Sequence, residues 1–135
     1  MKLTQLIFPA LIMVSLASCD GCKRDNDINV PGGKGGTGIL RITLQHHDRI
    51  LDTAGIVYMA YGMEAPGDGK YADSVKCINE NGQHVAIFNN LRKGEYYLYG
   101  KGFDSKAGAM IAGGNGYLLR EEKTVDYVLS VSTHL

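Results

Sequence analysis

Alternation is the feature that most limits what this chain can fold into. Leu40, Ile42 and Leu44 alternate with Arg41, Thr43 and Gln45, and Val125, Tyr127, Leu129 and Val131 alternate with Thr124, Asp126, Val128 and Ser130. An extended chain turns successive side chains to opposite faces, so a period of two marks a strand with one buried and one wet face. No stretch carries a sustained 3.6-residue apolar stripe, which predicts little helix. Ile56 to Tyr61 is a continuous apolar run. It is short enough for a central strand buried on both faces, although periodicity alone leaves a helix open there. Tyr71 to Ile78 and His84 to Phe88 flank Asn79-Glu80-Asn81-Gly82, and Asn-Gly is a strong hairpin signal because both residues accept positive φ. Leu91-Arg92-Lys93-Gly94 predicts the next turn, followed by a strand from Glu95 to Asp104. A further strand is expected within Met110 to Leu119, interrupted by Gly113-Gly114-Asn115-Gly116 as a bulge or loop in an edge strand. Seven strands at this spacing predict one all-β, antiparallel β-sandwich over residues 38–135.

The N-terminal segment reads differently. Met1-Lys2 supplies a positive start, and Leu6, Ile7, Phe8, Leu11, Ile12, Met13 and Val14 make an apolar run that ends at the small residues Ser15 to Ser18. That run falls short of the roughly 20 apolar residues a spanning helix needs and has the charged start, apolar centre and small-residue exit of a signal peptide. Leu16-Ala17-Ser18-Cys19 resembles the bacterial lipobox. The resemblance implies that residues 1–18 are a lipoprotein signal peptide. It also implies that Cys19 becomes the acylated, palmitate-bearing first residue of the mature chain. The expected location is the bacterial cell envelope, lipid-anchored and facing either the periplasm or the cell surface. Each buried CH₂ of such an anchor is worth about 0.8 kcal/mol, so several acyl chains hold stably. Asp20 resembles a retention signal of enteric bacteria, but other phyla sort differently, and the choice of membrane stays open.

Residues 20–37, rich in Gly and charge, have almost no apolar content. Such a composition buries too little surface to order a segment, so residues 19–37 are expected to be a flexible tether with a reach of about 25 Å. The remaining length suits one domain with a single core, without disulfides or metals. Over the whole chain the charges balance, 14 basic against 14 acidic, with no basic stripe of the kind nucleic acid requires.

Ala86-Ile87-Phe88-Asn89-Asn90-Leu91-Arg92-Lys93-Gly94-Glu95-Tyr96-Tyr97-Leu98 resembles the small Ig-like sandwiches related to prealbumin (transthyretin), Cna B-type repeats and carboxypeptidase regulatory domains. In those domains an aromatic strand end, a Leu in the turn, a Gly and an aromatic on the returning strand recur. Here Phe88 and Leu91 would plug one end of the sandwich, Gly94 would allow a tight return, and Tyr96 with Leu98 would face the same core. Ala54 to Tyr61 is similar to the second strand of such domains. The resemblance implies a Greek-key sandwich over about residues 38–133. The chain also resembles small lipoproteins of Bacteroidetes-type bacteria with a Gly-rich spacer before one such domain. Fold alone licenses no activity.

Candidate sites are few. His46 and His47 lie in a turn with Asp48, while His84 and His134 are isolated. Neighbouring side chains on an extended strand point to opposite faces, so the His46–His47 pair chelates only if the turn bends it. Structural zinc sites take four ligands and catalytic ones three, so the reading is no metal and no cofactor. Metal handling through His46, His47 and His84 is the runner-up. With Cys19 acylated, Cys22 and Cys77 remain. They can pair outside the cytoplasm, but Cys77 alternates with Val75 and reads better as a small buried hydrophobe. No Gly-x-Ser-x-Gly elbow is present, and Asp48, Asp52, Glu64, Asp68 and Asp73 fall mostly in turns, where carboxylates usually serve the turn itself. Gly113-Gly114-Asn115-Gly116 lacks the Gly-Lys-Ser/Thr of a phosphate loop. Prealbumin-like enzymes acting on hydroxyisourate end in Tyr-Arg-Gly-Ser, whereas this sequence reads Ser132-Thr133-His134-Leu135. The expectation is therefore a non-enzymatic accessory or binding module. Tyr58, Tyr97 and Tyr99 are its candidate surface, and an envelope protein or glycan is its partner.

Overall fold

The computed structural model describes residues 29–135. Every regular element among them is a strand: β1 (Gly33–His46), β2 (Arg49–Ile50), β3 (Ile56–Tyr61), β4 (Asp73–Lys76), β5 (Ile78–Glu80), β6 (Gln83–Arg92), β7 (Gly94–Asp104), β8 (Ala109–Leu119), β9 (Thr124–Ser130) and β10 (Thr133–His134). Seven of these have four residues or more. The first sheet runs β2-β1-β6-β5 with β9 also paired to β1, and the second runs β10-β8-β7-β3-β4.

The inward side chains are those that alternation selected. Leu40, Ile42 and Leu44 of β1 and Leu129 of β9 share one core with Val57 and Met59 of β3, Leu98 of β7 and Ile111 of β8. The sheets lie face to face. A Cβ added at Gly100 of β7 would come within 2.4 Å of Leu44 Cδ2 and 3.1 Å of Leu129 Cδ2 on the opposite sheet. Phe88, Leu91, Tyr96 and Leu98 are all buried around the β6–β7 corner. Tyr96 is fastened there as well as packed: its hydroxyl accepts the Gly33 N–H at 2.9 Å and donates to the Arg92 carbonyl.

Asn81 (φ 52°) and Gly82 (φ 85°) form the two central residues of the β5–β6 hairpin, with Glu80 opposite Gln83. The expected strand from Tyr71 to Ile78 is divided at Cys77, because the chain changes sheets there: β4 pairs with β3, and β5 pairs with β6. The Ile56–Tyr61 run is not fully buried on both faces, although Ala60 on its outer side is buried along with the core-facing residues. Val57 and Met59 point into the core, while Ile56 and Tyr58 are half-buried on the outside.

Three further expectations are corrected. The pairing is not wholly antiparallel, since β1 and β9 run parallel from Ile39↔Thr124 to Gln45↔Ser130. The chain reaches β9 from β8 in the other sheet, and such a crossing, unlike a hairpin, permits parallel neighbours. The flexible tether does not extend to residue 37. β1 begins at Gly33, opposite Arg92, and Pro31 bridges Glu95. Glycines here serve close approach: a Cβ on Gly32 would lie 2.1 Å from Tyr96 Cζ, and one on Gly36 would lie 2.3 Å from the Leu91 carbonyl oxygen. Residues 19–28 of the expected tether, and the signal peptide, lie outside the described residues. Finally, Gly113 to Gly116 do not interrupt β8. They pair in regular register with Gly100, Tyr99, Leu98 and Tyr97.

Candidate functional site

The two outer faces of the sandwich differ in chemistry. On the first sheet Arg41 holds Glu80 through both terminal guanidinium nitrogens and Asp126 through Nε at 2.9 Å. These partners raise the Arg41 pKa further, the Glu80 hydrogen bonds most. That face is an ion-paired surface in water, where such pairs add little stability.

The outer face of the second sheet is aromatic. Strand alternation puts Tyr96 inside and Tyr97 and Tyr99 outside, and the register sets Tyr58 directly opposite Tyr99. Tyr71, in the segment leading to β4, completes the group. Its ring centroid is 5.4 Å from that of Tyr58 and 6.0 Å from that of Tyr99, and the Tyr71 and Tyr99 planes are 25° apart. These separations lie in the favourable range for aromatic pairs. Burial pushes the Tyr71 phenol above its ordinary value, with Tyr97 and Tyr99 adding to the effect. Tyr97 lies flat across β8, where a Cβ at Gly114 would meet its hydroxyl within 2.4 Å. A Gly-rich β8 therefore lets the ring lie on the sheet. Beside the rings, Tyr58, Tyr71, Asp73 and Ser74 line a shallow cleft of about 400 Å³. Sequence reasoning found Tyr58, Tyr97 and Tyr99. It missed Tyr71, which it reads only as the start of a strand and which in the structure precedes β4, brought in by the β3–β4 register.

The histidines meet at one end of the sandwich. His46 is the last residue of β1, and His47 (φ 47°) and Asp48 (φ 59°) are the central residues of the β1–β2 hairpin. The positive φ at His47 supplies the bend that an extended pair lacks, so the His46 and His47 ring centroids are 3.9 Å apart. The parallel register ends with Gln45 beside Ser130, after which β10 sets His134 opposite Ile111. That path leaves the His134 ring 5.2 Å from His46. One ring nitrogen from each of His46, His47 and His134 falls within 4.8 Å of the other two. His134 is therefore not isolated.

His46 is 1% exposed and its Nδ1 is 2.6 Å from Asp104 Oδ2. Asp104 also accepts from Arg49 Nη2 at 2.8 Å and from the Lys106 and Ala107 N–H groups at 2.9 and 3.2 Å. The His46 hydrogen bond, then those backbone N–H groups and Arg49, hold the Asp104 carboxyl well below the usual carboxylate range against the opposing effect of burial. The Asp104 contact engages Nδ1 of His46, which leaves Nε2 as the ring nitrogen turned away from the carboxylate. That Nε2 is buried and has no hydrogen-bond partner among the described residues. Asp104 was missed at the sequence level, because nothing local marks one carboxylate as the partner of a histidine 58 residues away.

His84 does not join this group, for its Nε2 lies 3.1 Å from the Asp52 carbonyl oxygen. Cys77 is a buried thiol within the core, and burial pushes its pKa up. Cys19 and Cys22, and with them the Cys22–Cys77 pairing, lie outside the described residues. No protein-family model and no curated protein matches the chain.

Proposed function

We propose that this chain is a lipid-anchored, non-catalytic binding module of the bacterial cell envelope. In this reading Cys19 carries the acyl anchor and the Tyr58–Tyr71–Tyr97–Tyr99 face receives an envelope protein or glycan. The domain is proposed to be a Greek-key sandwich of the prealbumin-like, Ig-related kind. That assignment draws on the seven longer strands, the repeated crossings between sheets, and Tyr96. A buried Tyr at a strand start whose hydroxyl reaches backbone a few residues upstream is a hallmark of Ig-like sandwiches.

The observation that carries the functional reading is the Tyr58, Tyr71 and Tyr99 cluster, three rings with centroids 5.4 to 6.2 Å apart on an outer sheet face. Tyr gives a large rigid apolar area with a polar tip at small entropic cost, the combination that binding surfaces favour. Asp73 and Ser74 supply polar groups at the edge of the cleft. The test compares the full chain with a Tyr58→Ala/Tyr99→Ala variant, both folded by circular dichroism. Each is assayed for binding to envelope glycan fractions and to proteins cross-linked in envelope extract. Interface tyrosines at hot spots are worth 2 kcal/mol or more, so binding should fall by roughly thirtyfold. A partner retained equally by both proteins overturns the assignment of this face. Loss of acylation in Cys19→Ser, read by intact mass, tests the anchor.

A further inference from the structure

We propose that His46, His47 and His134 form a three-imidazole site for a divalent transition metal, with copper(II) preferred over zinc(II) and Asp104 as the positioning residue behind His46. Three independent observations converge on it. The first is proximity: the three ligand nitrogens lie within 4.8 Å of one another although the residues come from β1, a turn and β10. The second is the buried Nε2 of His46, which has no partner among the described residues. A buried polar atom left unmet is costly, and a metal ion would satisfy it. The third is the 2.6 Å contact from His46 Nδ1 to Asp104. A ligating histidine almost always donates its other N–H to a carboxylate or carbonyl, which sets the tautomer and aims the ring.

The chemistry of the donor set narrows the ion. Imidazole suits zinc, copper, iron and nickel, whereas magnesium and calcium take oxygen ligands. Among first-row divalent ions a nitrogen site follows the order that ends with copper(II) above zinc(II). Metal–nitrogen bonds of 2.0–2.1 Å put ligand nitrogens about 3.4 Å apart in a tetrahedral site. His47 and His134 are both exposed, so they have the rotamer freedom to close onto an ion, while buried His46 stays fixed. The two exposed ligands leave the site open to solvent, which suits capture and release of a metal.

The test uses the full chain in detergent on a Cys22→Ser background, so that the Cys22 thiol does not compete. Calorimetric titration with copper(II), and separately with zinc(II), should give one ion per chain with copper bound more tightly. The copper(II) electron paramagnetic resonance spectrum should show coupling to several nitrogens. A His47→Ala/His134→Ala variant alters exposed positions and should stay folded while affinity falls at least a hundredfold. Asp104→Asn, if folded by circular dichroism, should weaken binding 10- to 100-fold, and His84→Ala should bind as the parent does. The site is overturned if stoichiometric binding is absent for both ions, if the His47/His134 double variant binds like the parent, or if His84→Ala loses binding to the same extent.

Discussion

The Tyr96 hydroxyl accepts the Gly33 N–H at 2.9 Å across a sequence separation of 63 residues. Because it also donates to the Arg92 carbonyl, one phenol ties the start of β1 to the β6–β7 corner. Tyr96→Phe keeps the buried ring but leaves a buried donor and acceptor without their partner. The expected cost is about 1–3 kcal/mol, read as a lower urea midpoint with an unchanged slope.

Gly32 touches the same ring. A methyl group there would lie 2.1 Å from Tyr96 Cζ, and Tyr96 is 0% exposed and packed on every side. Gly32→Ala should therefore destabilise by about 1–3 kcal/mol through overpacking. Gly67 provides the control, since a Cβ there meets nothing within 4 Å, and Gly67→Ala should stay within about 0.5 kcal/mol of the parent. Thermal unfolding of the two variants measures the contrast, at roughly 4–8 °C per kcal/mol for a domain of this size.

These glycines show where reading the sequence succeeds and where it stops. Alternation located Leu40, Ile42, Leu44 and Leu129 in the core, and Asn81-Gly82 marked its hairpin, because both signals are set by neighbours along the chain. The Gly32–Thr37 stretch reads as a spacer because glycine is enriched both in flexible linkers and in places where backbones must touch. Only the position of Tyr96 and Leu91 separates the two cases. The candidate sites divide in the same way. Tyr58, Tyr97 and Tyr99 follow from strand periodicity, whereas Tyr71, His134 and Asp104 are delivered by register and by crossings between sheets.

The turn that bends His47 toward His46 also carries strain. Asp48 sits at φ 59°, and its side-chain contact with Gln45 Nε2 is long, at 3.4 Å. A left-handed backbone costs an L-residue about 1–2 kcal/mol, and glycine at the second central position is preferred in such hairpins. Asp48→Gly should raise stability by up to about 1 kcal/mol, since glycine's extra unfolded-state entropy offsets part of the relief. Chemical denaturation checks the sign, and a loss of stability would contradict the hairpin assignment.

Cys77 offers a reactivity prediction. The residue is 7% exposed, and burial raises its pKa above the ordinary thiol value. Only the thiolate attacks alkylating reagents, so at neutral pH this sulfur should react far more slowly than a free cysteine. In a Cys22→Ser variant, labelling should be slow in the native state and quick in denaturant, with the native rate rising as pH rises. Rapid labelling of the native protein would place Cys77 outside the core.

The parallel pairing of β1 with β9 has a consequence for assembly. Ile39 finds its neighbour at Thr124 and Gln45 at Ser130, so an early strand waits for a late one before its second edge is covered. A nascent or clipped chain lacking β9 would present Ile39 to Gln45 as an open row of backbone donors and acceptors. Exposed edges of that kind invite strand exchange with another copy. In this domain β9 closes the second edge of β1 and becomes the outer strand of the sheet in its place, and it is the last of the long strands to arrive.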